Sequence, residues 1–279
     1  MENRYIIEYI KHYNKYKFDK IFIYDNNEKY GEKFEDVINN YIKNGFVQII
    51  NFRGRKCIQR RAINDCYHKN FNYYDWILFG DIDEFIFLKY YKNIKVFLYK
   101  KRFNKCQSIQ FNWVMHTDNN QIYYNNKSLS ERFPEKGKSL KTSIDVKSIV
   151  KGKINMNFTS IHYLSGKLIS CDVFGNIKKK FYFNKNKYYK KNYIDHYYTK
   201  STEEFITKIK RGSVGTGIIR YGIIDNYFEL NKITKEKIDY IEKEMSTNIT
   251  KYQHLIKNDN LRRWFKLKED FKNTKINVT

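Results

Sequence analysis

Proline occurs once in the 279 residues and glycine only 12 times, and no Pro- or Ser-rich linker divides the chain. The four cysteines, Cys57, Cys66, Cys106 and Cys171, include no C-x-x-C pair and have no histidine at zinc-finger spacing. That excludes a structural zinc module and predicts reduced, mostly buried thiols of a cytosolic protein. No stretch approaches the roughly 18 uninterrupted apolar residues of a membrane-spanning helix. The opening MENRYIIEYIKHY carries charges every few positions in place of an apolar secretory region. A cytoplasmic location is therefore expected, in a cell or in the cytoplasm of a virus-infected host. No internal repeat is visible.

Asn, Lys, Ile, Tyr and Phe fill the space the missing residues leave, the usage of an AT-rich genome. The net charge of +24 and the pI near 9.6 favour anionic partners. Lys, Glu and Asn are interspersed through most of the chain, which favours a solvated basic surface over a dedicated nucleic-acid footprint. Sequons such as Asn126-Lys127-Ser128 are expected by chance in so Asn-rich a chain.

Tyr5, Ile6, Tyr9, Ile10 and Tyr13 recur at helical spacing, so a helix opens the chain over 4–16. KIFIYD (20–25) predicts a buried strand ending in an acid, and residues 32–45 a helix closed by Gly45. FVQII (46–50) is the next strand, residues 57–70 the next helix, and WILF (76–79) a continuous apolar strand. This alternation predicts an α/β fold with a mostly parallel central sheet and helices on both faces. Beyond residue 90 the pattern predicts a helix over 93–103, strands over 106–116, 143–152 and 157–166, and a polar loop over 118–142. A helix over 201–212 opens with the capping box Ser201/Glu204 and turns Phe205, Ile206 and Ile209 inward. Residues 1–233 are expected to form one domain and 234–279 a helical C-terminal extension packed on it.

The apolar run 76–79 leads straight into Asp81, Asp83 and Glu84. Ligands of parallel sheets sit outside the carboxyl ends of the strands, which gathers Asp25, Asp81 and Asp83 at one crevice. In extended chain Asp81 and Asp83 point to the same side, and paired carboxylates beside a crevice suit a divalent cation that bridges phosphates.

Asp81-Ile82-Asp83 resembles the DxD metal site of sugar-nucleotide-dependent transferases of the GT-A fold. FIYDNN (22–27), GFVQII (45–50), Gln59 in CIQRRAINDC and DWILFGDIDEF (75–85) follow the order of transferases related to glycosyltransferase families 2 and 92. Arg132, Lys147, His162 and DHYYTKSTEEFITKIKRG (195–212) continue the likeness, which covers roughly residues 2–215. Family members carry a further strand ahead of the segment that Glu2-Asn3 resembles.

The resemblance implies a Rossmann-like nucleotide-diphospho-sugar transferase, with Mn²⁺ or Mg²⁺ as cofactor and a UDP-sugar as the commonest donor. Asp83 would hold the metal together with Asp81 and His196, and Asp25, Asn27, Gln59 and Asp81 would contact the nucleotide. Lys208 and Arg211 share a helix face and would clamp the diphosphate. Inverting transfer to a glycan or other hydroxyl acceptor needs a base. Asp118 is preferred over Glu131 for it, with Glu84, adjacent to the acid pair, as a further candidate. RGSVGTG (211–217) lacks the G-K-[ST] ending of a phosphate loop and reads as a connection or lid over the donor.

Two readings compete with the transferase. In a metal-dependent nuclease, Asp81, Asp83 and Glu84 would hold two metals, with Asp145, Asp172 and Asp195 as further acids. In a nucleic-acid-binding module, tyrosines would stack on bases. Neither explains the order of the motifs, so nucleic acid is not the expected partner.

Overall fold

The computed structural model describes residues 2–55, 58–137, 145–159, 168–177, 191–212, 227, 229–232 and 234–252. Cys57, His162, the end of the 211–217 segment and the tail from 253 lie outside them. The chain divides into two units: the described residues of Met1–Met115 and Leu140–Tyr198 form most of the first, and those of His116–Ser139, Thr199–Ser213 and Gly217–Thr279 the second. The expected domain boundary at 233/234 falls inside the second unit.

In the first unit α1 (Asn3–Lys15) buries Tyr5, Ile6, Ile10 and Tyr13, the stripe its periodicity predicts. Ile6 and Ile10 are fully enclosed with Ile23, Phe34, Ile38 and Val47, each burial of this kind stabilising the fold by about 1.5–3 kcal/mol. β1 (Ile21–Asp25), α2 (Glu35–Lys43) and β2 (Val47–Asn51) form a strand–helix–strand unit whose strands pair in parallel, Asp25 opposite Asn51. Gly45 closes α2 at φ +79°, the left-handed conformation that glycine adopts without strain. α3 (Gln59–Asn70) then leads to β3 (Trp76–Leu78).

There the expected parallel sheet gives way to a mixed one. Among the described residues β1 and β2 form a two-stranded sheet, and a second sheet runs β3-β6-β5-β8-β4, with β7 beside β5. β3 pairs antiparallel with β6 (Val146–Lys151), and β4 (Glu84–Leu88) antiparallel with β8 (Asn192–His196). β5 (Ser108–Met115) is antiparallel to β6 but parallel to β8 and to β7 (Ser170–Asp172). The apolar run 76–79 is thus not a central strand. Its three strand residues are each half-buried at the end of the path, whereas all eight residues of β5 are buried in the middle. A run of three or four apolar residues is too short to tell these cases apart.

α4 is shorter than expected, Ile94–Leu98, followed by a 3₁₀ turn over Lys101–Phe103; of the expected strand 157–166 only 157–159 are described, and these three are not in a strand. The reduced-thiol expectation also needs correction, because Cys106 and Cys171 form a disulfide. Parallel pairing of β5 with β7 places Ile109 opposite Cys171, and the Cα atoms of Cys106 and Cys171 lie 5.7 Å apart, a contact invisible across a separation of 65 residues. Cysteine usage therefore no longer argues for a reducing compartment. Cys66 is a buried thiol, and burial pushes its pKa up to about 12.

In the second unit α5 (Leu129–Arg132) interrupts the expected polar loop, capped by Ser128 and Glu131 in a capping box. α6 (Thr202–Arg211) starts at the predicted Ser201/Glu204 box and buries Phe205, Ile206 and Ile209. α7 (Lys235–Tyr252) buries Lys237, Ile241 and Met245 at four-residue spacing.

Candidate functional site

The acid cluster of the first unit sits in the turn between β3 and β4, not on extended strand. Glu84 N–H donates to Asp81 O at 3.0 Å, and the Glu84 carboxylate folds back to accept Asp81 N–H at 3.0 Å. Two hydrogen bonds between the same residues fix the turn, so the relation of Asp81 to Asp83 comes from the turn and not from strand alternation. Tyr13 of α1 donates to Glu84 O at 2.9 Å, while His12 bonds Ile86 O at 2.8 Å, so the opening helix holds the start of β4.

Lys147 on β6 organises the charges. Its ammonium lies 2.9 Å from Asp81 Oδ2 and 3.3 Å from Glu84 Oε2, with a side chain only 3% exposed. Burial acts against its charge, but Asp81 and Glu84 outweigh this and hold its pKa above the ordinary lysine value. For Asp81, desolvation acts upward and the Lys147 charge more than offsets it, so the carboxyl stays below its ordinary range. Glu84 is fully buried, and desolvation with the Asp81 and Asp83 charges pushes it up to about 8 despite the same ammonium. Two carboxyls on one ammonium, with the Asp83 charge acting on both, carry an excess of negative charge, and a proton on the most buried of them relieves it. Gln59, at the start of α3, donates to Asp81 Oδ1 at 3.1 Å.

Asp83 faces β8. His196 Nε2 is 3.7 Å from Asp83 Oδ1, and Tyr197 N–H donates to Asp83 O at 3.0 Å, extending the β4–β8 ladder past the Glu84–His196 pair. The Trp113 ring lies 4.3 Å from the imidazole and 5.8 Å from Lys147 Nζ, which makes it a wall common to both.

Among the described residues no group of three or more His, Cys, Asp and Glu side chains is placed to hold a metal ion. Asp83 and His196 nevertheless suit a cation that takes its other ligands from a substrate. Ligands of one octahedral ion at ~2.1 Å lie about 3.0 Å (cis) to 4.2 Å (trans) apart, which spans their separation, and such ions commonly use one or two protein ligands plus phosphate oxygens and water. The donor set of one carboxylate and one imidazole suits Mn²⁺ better than Mg²⁺. Asp81 keeps a side chain 45% exposed although Lys147 and Gln59 hold both its oxygens.

Asp25, at the end of β1, is 1% exposed and accepts from Arg53 Nη1 at 2.6 Å and from Asn27 N–H at 2.9 Å. The same guanidinium donates to the carbonyls of Glu28, Gly31 and Glu32. Asp25 thereby braces the 28–32 loop through Arg53, and Asn27 is held at the turn beside it.

Asp118, Lys208 and Arg211 belong to the second unit. Asp118 is 1% exposed and accepts from Lys237 Nζ at 2.8 Å, Tyr227 OH at 2.7 Å and Asn120 N–H at 2.9 Å. Three hydrogen bonds engage its two oxygens, and the one from Lys237 ties it to α7. Glu131 serves the Ser128 cap. Lys208 and Arg211 occupy the last turn of α6, Lys208 half-buried and Arg211 exposed. Arg132 is fully buried against Glu204, the N3 partner of Ser201 in the α6 capping box.

The sequence reading marked Lys147 only as part of the family likeness and Tyr13 only as part of a helical stripe, and it assigned neither of them, nor Trp113, a place in the site. Lys147 left one signal, a lone cation within the apolar alternation VKSIV, where a buried lysine requires a carboxylate partner. Among curated proteins, none matches the chain. The model of glycosyltransferase family 92 matches residues 2–249, across the DxD turn, the Lys147 strand and the 195–212 segment, and the chain belongs to that family.

Proposed function

We propose that this transferase is metal-dependent and moves a hexosyl or N-acetylhexosaminyl group from a nucleoside diphosphate donor, UDP being the first choice, to a hydroxyl acceptor with inversion. The observation that carries the reading is the Asp83–His196 pair, 3.7 Å apart beside the Lys147-anchored Asp81. A Mn²⁺ or Mg²⁺ ion on that pair would neutralise the charge that develops on the leaving diphosphate. Lys147 keeps Asp81 ionised and aimed, and the Glu84 turn keeps Asp83 in register with His196. Such preorganisation is what lets a charged site act on a transition state without first rearranging. In this reading Gln59 and Asp81 border the ribose, and Asp25 with Asn27 shapes the nucleotide end by holding the 28–32 loop. Lys208 and Arg211 are carried as diphosphate contacts on the family resemblance alone.

The test is thermal melting with UDP, with and without Mn²⁺, on the native chain and on Asp83→Ala. A Mn²⁺-dependent rise that disappears in the variant supports the reading, since a ligand that binds only the folded state stabilises it by mass action. An unchanged melting temperature with nucleotide and metal, together with a rise on adding a short oligonucleotide, overturns it in favour of the nuclease.

A further inference from the structure

Charges are interspersed over most of the chain, but between Phe85 and Thr117 there is no acidic residue. Lys89, Lys92, Lys95, Lys100, Lys101, Arg102 and Lys105 all fall within this stretch, and all seven are exposed. Buried Ile94, Phe97, Leu98 and Phe103 pin the segment to the first unit, so its cations are displayed on an ordered surface. Large apolar groups stand out among them: Tyr90 is 67% exposed, Val96 53% and Tyr99 63%. Neighbouring segments extend the same charge. Ile94 N–H donates to Tyr16 O at 2.9 Å, beside exposed Lys15 and Lys17, and Lys89 N–H donates to the carbonyl of exposed Lys191 at 2.8 Å. Acids border the patch as well, among them Asp19 paired with Lys95 at 2.5 Å and Asp75 accepting from Tyr99 OH at 2.7 Å.

We infer that this basic, tyrosine-bearing face docks the protein on an anionic lipid surface. The inference does not rest on the transferase reading. Charge complementarity sets the class of partner, and the kind of side chain chooses lipid over nucleic acid. Six of the seven cations are lysines, compact charges suited to a diffuse anionic layer, and the single arginine spends its guanidinium plane on Phe103 at 4.7 Å. Two of the tyrosines already hold a cation over one ring face, Lys89 over Tyr90 at 5.4 Å and Lys100 over Tyr91 at 5.8 Å, which competes with base stacking there. Tyrosine rings and an exposed valine beside lysines suit the headgroup boundary, where the ring is buried and the hydroxyl stays wet.

The test is co-sedimentation of the full chain with vesicles of phosphatidylcholine alone and with vesicles also containing phosphatidylserine. Binding to the anionic vesicles only, weakening with salt, is expected. The triple variant Lys92→Glu, Lys101→Glu, Lys105→Glu lowers partition by roughly a hundredfold or more, from about fivefold per lysine lost. A control with the same charge change on another face, Lys29→Glu, Lys33→Glu, Lys43→Glu, falls far less, and all chains melt alike. A second variant, Tyr90→Ser with Val96→Ser, loses affinity while keeping every charge. Equal losses in patch and control variants, equal binding to neutral vesicles, or no binding to either would overturn the inference. So would tighter, patch-dependent binding to a single-stranded oligonucleotide, which would reassign the face to nucleic acid.

Discussion

Glu84 is the residue whose chemistry departs furthest from its ordinary behaviour in the acid cluster. It carries a proton in the folded protein up to about pH 8, whereas an unfolded chain loses it near the ordinary value of 4.5. Between these limits the native state binds more protons than the unfolded one, so stability falls as pH rises through the window and levels off above it. Denaturant titrations from pH 5 to pH 9 are expected to show a decline of a few kcal/mol from this group. Glu84→Gln, which keeps the shape and needs no proton, flattens that part of the profile. An unchanged slope in the variant would show that Glu84 is ionised beside Lys147 at neutral pH. The sequence displayed the acids themselves, since carboxylates after an apolar run stand out. It did not display their division of labour, because Lys147 enters from a strand more than sixty residues away.

At the scale of elements, local rules read the longer helices well but missed the short α5 and overran α4. The stripe of α1, the Gly45 stop and the Ser201/Glu204 box depend on neighbours three or four residues apart, and all are where periodicity and capping place them. Strand partners were harder. The strand–helix–strand rhythm holds for β1, α2 and β2, but β3 turns to β6 because the edge it meets is set by the distant half of the chain. Gly152, just after β6, shows how close that meeting is. A Cβ there would lie 1.9 Å from Tyr74 O and 2.7 Å from Phe71 O, so only glycine allows its N–H to reach Asp75 O at 2.7 Å. Gly152→Ala is expected to cost about 3 kcal/mol or more, read as a lower denaturant midpoint at unchanged m-value.

For the whole molecule, the Cys106–Cys171 bond is the covalent tie between segments 65 residues apart. Loop-closure entropy for that separation gives about 4 kcal/mol of stabilisation from restricting the unfolded chain. Cys106→Ser with Cys171→Ser therefore lowers the denaturant midpoint, and thiol labelling of the denatured native chain counts two thiols in place of four. Four reactive thiols in freshly purified protein would show that the bond is not formed where the chain is made.

The sequence by itself determined the family, the longer helices, and the acids on which the site is built, because motif order, periodicity and capping are all written in residues near one another. It determined the charge too, but read as an average it concealed the acid-free stretch between Phe85 and Thr117. Only the tertiary structure decided that the larger sheet is mixed, that Lys147 holds Asp81 and Glu84 while His196 meets Asp83, that Asp118 is enclosed by Lys237 and Tyr227, and that two cysteines are joined. Each of these depends on which distant segment comes alongside, a choice made by the packing of whole faces and not by any local run of residues.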